Sequence, residues 1–394
     1  MRYALSLAAL PGVLAVAACA GSYTGFTQAK GGGSGGTPVS WSQLASGLKQ
    51  TCGVSTSGTA YCWGTNDVGE IGDGTTIAVR YTPQAVTGGL PFRSLAAGSS
   101  HSCGIATDSA AFCWGSNVDA QLGDGTTTDH SAPVAVTGGL TFAALAAGAV
   151  YTCGIAASGA AYCWGDNSAG ELGVGDVARR AQPALVGGFM SLSFASVSAG
   201  DWSGSYHACG ITPASVTYCW GDNTFGELGT GDITNHTFPV AVTGGVSFAS
   251  VGAGGPHSCA LTAAGAAYCW GGNAYGELGT GDTTRRLTPT AVAGDLVFSS
   301  LSAGGAHTCA LASGVAYCWG FNAFGQLGVG DTVLRTTPTP VAGGLTFVAL
   351  SAGFEHTCGI TTAGVAYCWG RNLEGQLGDN ATSNRLQPVA VQNP

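Results

Sequence analysis

The sequence predicts an all-β protein, a seven-bladed β-propeller of four-stranded antiparallel blades. Three observations carry that reading. A segment built like Cys-Gly-Ile…Tyr-Cys-Trp-Gly returns seven times, about every fifty residues. Each copy holds four short runs of strand type divided by Gly-rich turns. Helical periodicity is absent beyond the first residues. A repeat of this length describes a stack of small units, none of which can bury a core alone.

The first residues read as an export signal. Met1-Arg2-Tyr3 is a short positive start, and the apolar run Ala4 to Ala18 is too short to span a bilayer comfortably. It ends in Val16-Ala17-Ala18-Cys19, which resembles the bacterial lipobox, where the cysteine takes lipid and becomes the mature N-terminus. The alternative is an ordinary cleaved signal with an incidental cysteine. Residues 1–19 are read as this signal and 20–37 as a Gly/Ser-rich tether. Residues 38–394 are read as the propeller. Cys19 is the only cysteine outside the seven pairs, and no other stretch is apolar enough to cross a membrane. The protein is expected outside the cytoplasm, lipid-anchored in the cell envelope or secreted. Ala20 after the lipid site resembles outer-membrane sorting.

One copy shows the blade. Phe142 to Ala146 alternates and reads as a first strand, and Thr152 to Ala156 as a second. Ala157-Ser158-Gly159 turns the chain into a third, Ala160 to Trp164. A polar loop, Asp166 to Gln182, precedes a short fourth strand at Pro183 to Val186, with Pro at a strand start where a missing donor is tolerated. Trp41 takes the place of Phe142 in the first copy.

Cysteine register sharpens the prediction. In the first copy the three-residue turn Thr56-Ser57-Gly58 sets Val54 against Ala60 and Cys52 against Cys62. The sixth copy is one residue shorter, and the loss falls in its two-residue turn Ser313-Gly314, so Cys309 still faces Cys318. Counting outward, each pair occupies a non-hydrogen-bonded site, where side chains approach most closely. Seven disulfides are expected, one per blade: Cys52–Cys62, Cys103–Cys113, Cys153–Cys163, Cys209–Cys219, Cys259–Cys269, Cys309–Cys318 and Cys358–Cys368. Export makes their oxidation feasible. Zinc is disfavoured by the spacing, and the Cys-x-x-Cys of redox catalysis is absent. With Tyr61 and Trp63 on one face and cysteine with aliphatics on the other, each blade is expected to bury both faces against its neighbours.

The chain carries a formal charge of −9, and only 8% of its residues are charged. Just two are lysines, Lys30 and Lys49, so there is no cationic footprint for nucleic acid.

The pattern Ala-Gly-x-x-His-x-Cys, Tyr-Cys-Trp-Gly-x-Asn-x-x-Gly-Glu/Gln-Leu-Gly-x-Gly-Asp and Pro-x-x-Val resembles the repeats of the regulator of chromosome condensation family. The fifth copy shows it as Ala253-Gly254-Gly255-Pro256-His257-Ser258-Cys259 and again from Gly271 to Asp282. The resemblance spans essentially 38–392 and implies a seven-bladed propeller. It does not define function. The family includes an exchange factor for the GTPase Ran, which acts through a β-wedge for which no copy here has room. A photoreceptor member uses Gly-Trp-Arg-His-Thr motifs that are missing here. A secreted bacterial member that inhibits β-lactamase through loops on one propeller face is nearest in compartment and style.

His101, His207, His257, His307 and His356 share one position, with Gln50 and Tyr151 in the other copies, which fits structural hydrogen bonding and not a metal ring. Asp73, Asp124, Asp176, Asp232, Asp282, Asp331 and Asp379 read as turn formers. Glu70, Glu171, Glu227 and Glu277 alternate with Gln121, Gln326 and Gln376, an interchange that would disable acid–base chemistry. No catalytic residue, metal or cofactor is expected.

The variable loops are more telling. Blade four alone enlarges the loop after its first strand, with Trp202 and Tyr206. The residue two after the loop Asn is Phe225, Tyr275 and Phe324 in blades four to six. These five aromatics are predicted to form an arc on one face, extended by Phe354, and exposed aromatic clusters mark partner surfaces. The leading expectation is a monomeric, non-enzymatic module that captures an extracytoplasmic protein there. A glycan-binding or glycan-processing propeller and a structural envelope protein are the alternatives.

Overall fold

The computed structural model describes residues 39–188, 192–200 and 204–394. The signal segment, the tether, Cys19 and Trp202 therefore lie outside the described residues. Seven separate four-stranded antiparallel sheets follow one another along the chain, each with its strands in sequence order. Blade 1 is formed by Trp41–Ser46, Gln50–Ser55, Ala60–Thr65 and Val79–Ala85, and blade 7 by Phe347–Ala352, His356–Thr361, Ala366–Gly370 and Arg385–Ala390.

The hairpin register agrees with the cysteine count. Cys52 pairs with Cys62, Gly53 with Tyr61 and Val54 with Ala60. In blade 6 Cys309 pairs with Cys318 across the shorter turn. Seven disulfides join these partners, with Cα–Cα separations of 4.0 to 4.1 Å. That is the close approach of a non-hydrogen-bonded antiparallel pair.

The fourth strand differs from its predicted bounds. In blade 3 it runs Arg180–Leu185 and not from Pro183, because Gly165 pairs with Arg180 across a register shift next to Cys163. The shift places Pro183 inside the outermost strand, where its missing N–H breaks no ladder. Every fourth strand carries such a proline, from Pro83 to Pro388. An edge that cannot donate continuously resists pairing with another sheet.

The core lies between blades. In the first interface Cys52, Val54, Ala60 and Cys62 pack against Phe92, Leu95 and Trp114 of blade 2. The last interface sets Cys358, Ile360 and Cys368 of blade 7 against Trp41, Leu44 and Trp63 of blade 1. Each sheet thus hides a disulfide face on one side and an aromatic face on the other. The glycine opposite Tyr61 serves the first-strand aromatic: a Cβ on Gly53 would stand 2.7 Å from the Trp41 ring. Phe142 lies across Gly154 in the same way.

Indole N–H and imidazole Nε2 groups in these interfaces are paired, while Nδ1 of each of the five histidines at the shared repeat position is buried without a hydrogen-bond partner. The seven third-strand indoles are fully buried. Each Nε1–H donates to a backbone carbonyl of the preceding blade, as Trp114 does to Glu70 at 2.9 Å and Trp63 to Gln376 at 2.9 Å. His257 Nε2 meets the Thr308 hydroxyl of the next blade at 2.9 Å, and that hydroxyl donates to the Glu277 carbonyl at 3.0 Å. With the hydroxyl proton engaged, Nε2 must be the donor. The other four histidines repeat the contact with Thr152, Ser258, Thr357 and Thr51. Tyr151 replaces histidine where the next blade has Ala208 in place of the hydroxyl, and its own OH donates to the His207 carbonyl at 2.5 Å. Burial pushes the pKa values of these histidines down, to about 4 for His207 and about 3 for the other four.

Ring closure uses the same contacts as every other interface. Both terminal blades take all four strands from contiguous sequence, so no strand is exchanged. Trp41 N–H donates to the Gly364 carbonyl, Phe354 N–H to the Gly47 carbonyl, and His356 to Thr51.

Candidate functional site

The loop between third and fourth strands is built alike in all blades. An asparagine organises it: Asn273 Oδ1 accepts from Leu278 N–H at 3.0 Å, and its amide group donates to the Asp282 carbonyl. The following aspartate caps a turn, as Asp282 Oδ1 accepts from Thr284 N–H at 2.9 Å. In blades 1, 2 and 7 the aspartate comes two residues earlier, yet Asp73 receives Thr75 N–H and the Asn66 amide just as Asp282 receives their counterparts. Most of these carboxylates also hold a cation from the fourth strand, such as Arg286 on Asp282 at 2.7 Å. All seven aspartates are therefore turn groups.

The buried Glu or Gln holds the variable residue. Glu227 accepts from Phe225 N–H at 2.7 Å, Glu277 from Tyr275 N–H at 2.7 Å, and Gln326 from Phe324 N–H at 3.1 Å. Only an acceptor is required, which explains why the two residue types interchange. Burial raises these carboxyls, Glu171 to about 8 and Glu227 to about 7. Neither reaches solvent.

With their backbones pinned, the side chains point outward. Phe225 and Tyr275 are each 41% exposed. The Tyr275 ring centroid is 4.8 Å from that of Phe321, and Phe321 lies 6.1 Å from Phe324. The Arg371 guanidinium sits over Phe324 at 5.3 Å while bound to Glu355 and Glu374 at 2.8 and 3.0 Å. Tyr275 divides two hollows. One, of about 290 Å3, is lined by Phe225, Pro256, Tyr275 and Arg285. The other, of about 220 Å3, is lined by Tyr275, Phe321, Phe354 and Glu355.

Of the five predicted aromatics, Phe225, Tyr275 and Phe324 come together in this way. Tyr206 is half-buried against the interface of blades 3 and 4 and faces the acidic neighbours Asp166, Glu171 and Asp119. Phe321 was missed by sequence reasoning. It precedes the loop Asn, where the other blades carry Thr65, Ser116, Asp166, Asp222, Gly272 and Arg371. An aromatic at that otherwise non-aromatic position was the available signal. Among the described residues no group of three or more His, Cys, Asp or Glu side chains is placed to hold a metal ion.

Fold and site define a disulfide-stapled, seven-bladed propeller with a cluster of aromatic side chains on its loop face. The model of the regulator of chromosome condensation (RCC1) repeat matches seven successive segments, from 57–105 to 363–394, and the chain belongs to that family. Each full match runs from one blade's hairpin turn into the next blade, so the family repeat straddles the interface described above. The yeast (Saccharomyces cerevisiae) protein Prp20p, studied for binding to Gsp1p and histones, is similar in fold: 22% identity, TM-score 0.70, covering 80% of each chain. Human WBSCR16 superposes with TM-score 0.76 at 19% identity, over 85% of this chain and 94% of that one. The human probable E3 ubiquitin-protein ligase HERC4 is 36% identical over 83 residues, 21% of this chain and 8% of the ligase. Propellers of this kind are typically binding or exchange-factor modules. Seven disulfides indicate an oxidising, extracytoplasmic environment.

Proposed function

We propose that the chain is a non-enzymatic binding module, tethered to the cell envelope by lipid on Cys19, that captures an extracytoplasmic protein on its loop face. The carrying observation is the contiguous sector of Phe225, Tyr275, Phe321 and Phe324, with two hollows divided by Tyr275, on an otherwise repetitive ring. Large rigid rings bury much area at small entropic loss, which is why such clusters dominate binding energy. The rings are tilted, 56° between Tyr275 and Phe321, and so offer recesses for side chains and not a flat platform for a sugar.

The test is a pull-down from the native envelope with wild type, Tyr275→Ala, Trp202→Ala and, on the hairpin-turn face, Val348→Ala. Loss of the same partner from the first two variants, with retention by the third, is expected. Unchanged capture by Tyr275→Ala refutes the reading, and binding on an array of glycans alone favours a glycan ligand. Mass spectrometry of the mature N-terminal peptide checks the lipid on Cys19.

A further inference from the structure

The larger hollow holds a cation that the fold leaves without a carboxylate. Seven of the nine arginines among the described residues are ion-paired. Of the other two, Arg93 is bound to the Phe142 carbonyl at the start of a first strand, on the hairpin-turn face. The second is Arg285, which is exposed and donates only to the Thr224 carbonyl, at 3.3 Å.

Its counterpart in blade 3 shows what is missing. Arg179 reaches across to blade 2 in the same way, donating to the Val118 carbonyl at 3.0 Å, but it also binds the Asp119 carboxylate at 3.3 Å. Where blade 2 has Asp119, blade 4 has Phe225. The exchange removes the internal counter-ion and places a half-exposed ring beside the guanidinium. Among the described residues the one carboxyl lining the hollow, that of Glu277, is buried and holds Tyr275 N–H.

We propose that this hollow recognises an acidic group beside an apolar side chain in a segment of the protein partner. Arg285 pairs with the carboxylate, and Phe225 and Tyr275 enclose the apolar part. The inference rests on the protein-capture reading above and deepens it. A planar guanidinium suits a carboxylate because two N–H groups can engage it together. The concave, largely apolar wall favours a side chain over an extended anion.

The test uses the full chain with two probes of equal shape, N-acetylphenylalanine and its uncharged amide, titrated calorimetrically at low salt. Wild type is expected to bind the carboxylate roughly tenfold more tightly than the amide. Arg285→Gln removes that preference and leaves amide binding unchanged. Phe225→Asp, which recreates the Arg179–Asp119 arrangement, removes it as well. Tyr275→Ala weakens both probes. Intact disulfides and an unchanged denaturation midpoint verify that each variant is folded. Equal binding of the two probes, binding of neither, or a preference that survives Arg285→Gln overturns the proposal, and binding of oligogalacturonate alone overturns it in favour of an acidic glycan. Partner capture that is sensitive to Tyr275→Ala but indifferent to Arg285→Gln would sink this inference and leave the protein-capture reading standing.

Discussion

Replacing His257 with glutamine measures how the inter-blade histidines couple folding to pH. Its ring is fully buried, and burial, with His207 and His307 as neighbours, lowers its pKa from 6.5 to about 3. The unfolded chain therefore takes up a proton first as the medium is acidified. Stability from this group is complete above 6.5 and is lost progressively as pH falls toward 3. At pH 5 the loss is about 2 kcal/mol, from 1.36 kcal/mol per pH unit over one and a half units. Glutamine fits the site, since Gln50 occupies it in blade 1 and donates to the Gly98 carbonyl at 2.8 Å. Denaturant titrations of His257→Gln and wild type at pH 7.5 and 5.0 give the difference between their acid losses. Contributions from other groups cancel in that difference. The variant should lose about 2 kcal/mol less than wild type over this interval. Equal losses would show that the histidine is not held neutral by burial, and the account of the interface hydrogen bonds would fall with it.

Three further outcomes follow from the same structure. Glu171→Gln should stabilise the protein at pH 8.5 and do little at pH 4.5: the raised pKa, about 8, means that stability from the protonated carboxyl is complete below 4.5 and lost as pH rises toward 8, which denaturation at the two pH values will read. The pair Cys259→Ser and Cys269→Ser should lower stability by about 2–3 kcal/mol in denaturant titrations, and peptide mapping of the unreduced wild type should recover only bridges within a blade. Trp220→Phe removes the donor to the Glu171 carbonyl at 2.9 Å and opens a void between blades 3 and 4, with an expected loss of about 2–4 kcal/mol against under 1 kcal/mol for Tyr218→Phe.

Local rules carried much of the fold into the sequence. The Cys309–Cys318 pairing was legible because a turn one residue shorter preserves register across a hairpin, which is a property of neighbouring residues. The start of the fourth strand at Arg180 was not legible, since the register shift beside Cys163 satisfies an edge that only the assembled sheet possesses. The histidine column was legible as hydrogen bonding, but its partner was not: Thr308 stands 51 residues from His257. The presence of Tyr151 makes sense only beside Ala208, which lacks the hydroxyl that a histidine would need. At the candidate site, Phe225, Tyr275 and Phe324 could be aligned by repeat position, whereas Phe321 belongs to another position and joins them only in space.

Unaided, the amino-acid sequence determined the blade: its strand count, hairpin register, disulfide partners and the side of the ring on which variable residues emerge. These depend on spacing of ten or so residues, within reach of turn geometry and two-residue alternation. Tertiary structure alone decided how the ring closes, which carbonyl each tryptophan meets, and that Arg285 faces Phe225 where Arg179 faces Asp119. Each of those contacts joins different blades, 60 residues apart in sequence for Arg179 and Asp119 and 313 for Trp63 and Gln376, and comes into being only when sheets with two apolar faces bury them against one another.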